Sequence, residues 1–141
     1  MANMVIPNEG KLLWLEWALT GDGSSLEDFV VRLYSNNYTP VDGSTLANFT
    51  EATFTGYTEL DIMRSDFSTP VIVANVAEAQ TSVPPEWTCT GGAAQDIYGW
   101  YLVGVDSGKV LAAQRFDAVR TMAAGATETL DPFKIKLKTF A

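Results

Sequence analysis

Glu59 and Asp61 stand two positions apart in Thr58-Glu59-Leu60-Asp61-Ile62-Met63-Arg64. On an extended chain they share one face, about 6 to 7 Å apart, a separation that suits two carboxylates acting as acid and base on a glycosidic bond. Alternation on a solvated strand gives the same spacing without any function, and that plainer reading is the stronger one. Carboxylate pairs are the only acid–base route open, because the 141 residues include no histidine and a single cysteine, Cys89. Ser-His-Asp and Cys-His nucleophile systems, an internal disulfide and a Cys/His zinc site are all excluded within the chain. Calcium would need oxygen ligands, which Gly21-Asp22-Gly23 with Glu27 and Asp28, or Asp42 with Asp66, would supply. The twelve-residue EF-hand pattern is missing, however, and Asp-Gly is first of all a turn dipeptide. Thr90-Gly91-Gly92-Ala93 lacks the Lys-Ser/Thr of a phosphate loop. The expectation is a non-enzymatic protein with no catalytic residue, cofactor or metal.

Two groups of side chains point to binding instead. Tyr98, Trp100 and Tyr101 lie in one predicted strand, where alternation sends Tyr98 and Trp100 to one side and Tyr101 to the other. With Trp87 they form a candidate sugar platform, although strand aromatics more often serve core or intersubunit packing. Lys134, Lys136 and Lys138 alternate with Phe133, Ile135 and Leu137, giving a strand with a basic outer face. That face is either a solvated strand guarded against edge pairing or a stripe that docks on an acidic surface. These three are a third of the nine cations in a chain with seventeen acids and a net charge of -8. The other six are scattered, so the basic face that nucleic-acid binding requires is not expected.

The elements that must position these groups are mostly strands. One helix is expected, over Lys11-Leu12-Leu13-Trp14-Leu15-Glu16-Trp17-Ala18-Leu19, with Asn8 as N-cap, Glu9 at the positive dipole end and Gly21 as stop. Its apolar residues nearly surround it, so it must be covered by its own sheet or by a neighbouring subunit. Leu12, Trp14, Leu15 and Trp17 are therefore candidate interface residues, together with the three lysines. Strands are predicted at Phe29–Tyr34, Thr58–Arg64, Val71–Val76, Trp87–Thr90, Ile97–Gly104, Lys109–Phe116, Arg120–Met122 and Phe133–Phe140. Val105-Asp106-Ser107-Gly108 joins two of them as a hairpin turn. The connection from Ser35 to about Ala52 exceeds the usual length, which marks a functional or mobile loop. Such a chain is mainly β, a β-sandwich or jelly-roll-like barrel with one short N-terminal helix. Residues 1–10 read as an N-terminal arm and residues 11–141 as a single domain. Met1 to Leu19 has no basic start, and no apolar run is long enough for a bilayer. Synthesis in a host cytoplasm and no membrane partner are the expectation.

Four segments carry a family resemblance: VIPNEGKLLWLEWAL at 5–19, LYSNNYTPVDGSTLANFTEATFTGY at 33–57, IYGWYLVG at 97–104, and AAQRFD with GATETLDPFKIKL near the end. Together they cover most of the chain, which resembles a family of small structural proteins of tailed double-stranded DNA bacteriophages. The resemblance implies a virion component at the capsid surface, a head decoration (cement) protein that bridges capsomers. It further implies the major capsid protein as partner and a homo-oligomer, with a trimer favoured. The alternative is a host-recognition or carbohydrate-binding module of a phage fibre. No segment is a catalytic motif, so no functional residue is carried over.

Overall fold

The computed structural model describes residues 3–20 and 26–137. Helix α1 (Asn8–Leu15) ends in a π-helical turn, Glu16–Thr20. Among the described residues nine strands follow: β1 Phe29–Tyr34, β2 Leu60–Ile62, β3 Val71–Val73, β4 Val76–Gln80, β5 Glu86–Thr88, β6 Gln95–Gly104, β7 Val110–Met122, β8 Thr127–Thr129 and β9 Lys134–Leu137. They form antiparallel sheets in the orders β2-β1-β6-β7, β3-β4-β9 and β5-β8. The fold is mainly β, sandwich-like, with one short N-terminal helix, as the patterning predicts.

The four-stranded sheet is apolar on both faces because β1 and β6 are nearly continuous hydrophobic runs. One face, with Val31, Leu33, Leu102 and Leu111, packs against Trp87, Cys89, Leu130 and Phe133 from the smaller sheets and their connections. The other face, with Val30, Tyr34, Tyr101 and Val103, is covered by the chain from Ser35 to Ala52. Within that connection Phe49 stacks on Tyr101 with centroids 4.6 Å apart, and Tyr38 meets Phe49 edge-on at 5.3 Å. Asn36 binds it back on itself, donating to Asn48 O at 2.9 Å and accepting from Thr50 N–H at 2.8 Å. The long connection is thus a lid of the core, and its Asn, Ser and Thr side chains satisfy its own backbone.

Three expectations need correction. The helix begins at Asn8 with Pro7 as N-cap, and the Asn8 carboxamide accepts from Lys11 Nζ (3.4 Å) instead of capping. The preceding arm is no appendage as far as it is described: Val5 exchanges backbone hydrogen bonds with Ala113 of β7, both at 2.8 Å, and Pro7 and Gly10 are buried. Val71–Val76 is not one strand but a hairpin. Ala74 and Asn75 take φ 48° and 63°, the left-handed pair a tight two-residue turn requires, and Asn tolerates that region better than most residues.

The predicted 105–108 turn joins β6 to β7, with Gly108 at φ 66°. Beyond it, Lys109–Phe116 and Arg120–Met122 merge into one thirteen-residue strand with an outward bulge. Ile97 pairs with Arg120 and Gly99 with Arg115, so two steps along β6 face five along β7. Opposite this bulge β6 is itself irregular: Tyr98 has no pairing partner on β7, and a Cβ on Gly99 would point towards Tyr34, the side Tyr98 also takes. Ile97 and Trp100 share the inner face, while Tyr98 and Tyr101 share the other.

Candidate functional site

Helix α1 divides its apolar residues between the core and the surface. Leu13 is buried, and the indoles of Trp14 and Trp17 meet edge-to-face at 5.1 Å while resting on Phe29 at 6.0 and 5.7 Å. Leu12, Leu15 and Leu19 point away, 67, 53 and 76% exposed. Coverage by the protein's own sheet therefore accounts for half of the helix only. Of the four candidate interface residues on it, Leu12 and Leu15 are free to meet another molecule, whereas Trp14 and Trp17 anchor the helix.

A second apolar surface lies on the β3-β4-β9 sheet. Val71, Ile72 and Val73 are 53, 71 and 50% exposed, although they are the most hydrophobic stretch of their hairpin. In a two-residue hairpin closed by the Val73–Val76 pair, Ile72 is the residue whose N–H and C=O point outward. The next outward position is Pro70, which has no N–H. The free edge of β3 thus offers almost no donors, and contacts there depend on side chains. Register places Ala79 opposite Ile135, and these line, with Ala77, an apolar groove of about 360 Å³ beside Trp14, Trp17 and Phe67.

The lysines of β9 flank this region. Lys134 and Lys136 both reach the Glu78 carboxylate, at 3.6 and 3.8 Å, across the β4–β9 pair. The basic stripe therefore carries one acid for two bases among the described residues named here, a weaker field than three unpaired lysines. Lys138 lies outside the described residues.

The sugar platform does not assemble. Trp87 is 3% exposed and its indole N–H donates to Thr58 O at 2.7 Å; Trp100 is 6% exposed and packs against Phe133 at 4.7 Å. Tyr98 sits on the opposite face from Trp100 because β6 breaks its alternation at Tyr98 and Gly99, and it lies under the Arg115 guanidinium at 5.2 Å. These rings build the core and its margin, and no stacking surface is left where alternation placed one.

Glu59 and Asp61 stand in different surroundings. Arg32 on β1 takes Glu59 Oε2 at 2.6 Å and lies 3.6 Å from Glu51 Oε1, while Asp61 stands exposed on β2 opposite Val30. The Tyr57 hydroxyl donates to Glu51 Oε1 at 3.0 Å and accepts from Leu33 N–H at 3.2 Å. Burial works against the Arg32 charge, but the Glu59 hydrogen bond and both carboxylates outweigh it and raise its pKa. Burial, reinforced by the Glu51 charge, raises the Tyr57 phenol and takes Tyr101 up to about 12. A saturated cluster of this kind fastens β1 to the residues leading into β2.

The alternative calcium ligands are occupied elsewhere. Asp42 pairs with Lys11 at 2.9 Å, Asp66 accepts from Met63 N–H, Asp28 from Arg64 N–H, and Glu27 from Asp106 and Ser107 N–H. Asp22 lies outside the described residues. Among the described residues no group of three or more His, Cys, Asp or Glu is gathered to hold a metal ion. No described helix is long and apolar enough to cross a membrane.

One site escaped sequence reasoning. The β7 bulge and the chain between β8 and β9 enclose a mixed polar and aromatic cavity of about 510 Å³, floored by Trp100 and Phe133. Its only trace in the sequence is the interruption between Phe116 and Arg120. No family model matches the chain, and no curated protein matches it.

Proposed function

We propose that the protein is a non-enzymatic virion component of a tailed bacteriophage, a head decoration protein that attaches to the major capsid protein and bridges neighbouring capsomers. The observation that carries this reading is the pair of exposed apolar surfaces, Leu12, Leu15 and Leu19 on α1 and Val71 to Val73 on β3. A solvated domain scatters such residues singly, whereas grouped ones mark contacts with other molecules. The resemblance of residues 5–19, 33–57 and 97–104 to phage structural proteins supplies the class of partner.

Magnitudes favour a repeated contact over a solitary one. Burying the remaining exposed half of six such side chains contributes roughly 1 kcal/mol each. Association costs about 4 to 15 kcal/mol before any gain, so one site alone binds weakly. Homo-oligomers set on the symmetry axes of a shell, with a trimer as the leading form, turn weak contacts into stable attachment. The lysines of β9 suit an acidic partner surface at close range, tempered by Glu78. The reading places the protein on the capsid surface after synthesis in the host cytoplasm. Mass spectrometry of purified virions tests it: the chain is expected among the head proteins in a copy number tied to capsid symmetry, and heads without it would overturn the assignment.

A further inference from the structure

The cavity beside the β7 bulge is polar and aromatic, and the strand irregularity that opens it is built into the fold. Five steps of β7 lie against two of β6, so Phe116 to Val119 leave the sheet and open a gap. Bulges of this kind re-aim side chains at functional sites. Across the gap, β8 presents Glu128, whose side chain is 14% exposed, with Arg120 at 3.9 Å. Desolvation raises the Glu128 carboxyl above its ordinary value, and the Arg120 charge only partly offsets this. The floor is tied down: Thr81 N–H donates to Phe133 O at 2.9 Å, and Phe133 N–H donates in return to the Thr81 hydroxyl at 2.9 Å.

We infer that this cavity is a binding site for a neutral sugar ring. Its volume of about 510 Å³ lies within the range of small-ligand sites. Its charged lining is nearly balanced, with Asp117, Glu128 and Asp131 against Arg120 and Lys134. A strongly cationic or anionic ligand gains little from such a set. Hydroxyl groups gain from both halves of it, donating to the carboxylates and accepting from the guanidinium and ammonium. The Phe116 ring stands half-buried at the wall with Arg120 over it at 5.8 Å, so a pyranose entering here meets this stacked pair and not a bare ring face. This site is separate from the apolar docking surfaces and does not depend on them. It also differs from the platform of Trp87, Tyr98 and Trp100, whose rings are turned into the fold.

The test is an amide-resolved NMR titration of the full chain with D-glucose, D-galactose, D-mannose and N-acetyl-D-glucosamine, each to high millimolar concentration. At least one sugar is expected to shift the amides of Phe116, Asp117, Arg120, Glu128 and Asp131 with a saturable curve. Glu128→Gln should weaken that sugar by about tenfold, the loss of one charge-assisted hydrogen bond. Asp131→Asn, at an exposed position, should weaken it too and serves if the Glu128 variant does not fold. Silence towards all four sugars, shifts centred elsewhere, or unchanged affinity in a folded variant overturns the inference. None of these results bears on whether the chain is found in virions.

Discussion

Glu9 Oε1 accepts the backbone N–H of Val110 at 2.7 Å, across 101 positions of sequence. Val110 is the first residue of β7, so a side chain from the first turn of α1 satisfies a donor at the start of the longest strand. Sequence alone assigns Glu9 to the helix dipole; the structure gives it this second task. Losing the acceptor leaves a largely buried N–H unpaired, at a cost of about 1 to 3 kcal/mol. Glu9→Ala is therefore expected to lower the urea midpoint at unchanged slope. Deleting residues 1–10 is expected to lower it further, because the Val5–Ala113 bonds go too. An unchanged midpoint in the deletion would show that the arm contributes nothing to the fold.

Gly10 lies on the same contact. A Cβ there would sit 2.7 Å from Leu111 O and 2.8 Å from Val110 O, both backbone atoms that cannot turn aside. Gly10→Ala should destabilise by about 1 to 3 kcal/mol through this overpacking, against the gain of up to about 1 kcal/mol that helix propensity alone would give. Thermal unfolding separates the two, and a raised melting temperature would refute the close packing of α1 on β7.

Glu27 holds the β6–β7 turn. Its buried carboxylate accepts from Asp106 N–H at 2.6 Å and Ser107 N–H at 2.8 Å. Glu27→Ala removes two charge-assisted bonds and should cost about 2 to 4 kcal/mol, with faster amide exchange at 106 and 107 as the local signature. Stability loss without that local change would place its role elsewhere.

Alkaline behaviour follows from buried phenols, Tyr34 and Tyr101, together with Tyr57, which burial raises as well. Tyr34 and Tyr101 are both pushed up to about 12, chiefly by burial, from the usual 10. Between those values the unfolded chain has released protons that the folded one still holds, so stability falls as pH rises from 10 to 12. An absorbance titration should show these two phenolates forming late and together with unfolding. Ionisation near 10 in a still-folded protein would contradict their burial.

What was legible in the sequence follows from how local each cause is. Phe29–Tyr34 is a buried strand by composition alone, and it has the predicted bounds. The 105–108 hairpin was legible because Asp-Ser-Gly carries its own turn chemistry. Val71–Val76 was misread as one strand because five apolar residues in six hide a turn that Asn75 alone announces. The parity of Tyr98 and Trp100 could not be read by alternation, since β6 is itself irregular at Tyr98 and Gly99, opposite the β7 bulge. The same distance separates sequence from the Arg120–Glu128 cavity, whose walls come from strands that are not paired with each other.

The exposed apolar surfaces yield a prediction under the proposed capsid attachment. Ile72→Asp and Leu12→Asp change exposed side chains and should leave the unfolding midpoint within about 0.5 kcal/mol of the parent. Each is expected to weaken binding to capsids stripped of the protein. Glu78→Gln frees Lys134 and Lys136 and should steepen the salt dependence of that binding, whereas neutralising both lysines should flatten it. Full binding by both aspartate variants would remove the apolar surfaces from the attachment.

The most direct measurement of the proposed role is a cryo-microscopy map of tailed-phage virions assembled with this chain. The account predicts density for this fold at repeated symmetry positions on the head, with Leu12 to Leu19 or Val71 to Val73 turned towards the shell or a neighbouring copy. Heads that lack the density, or that carry it with both segments facing solvent, would contradict it.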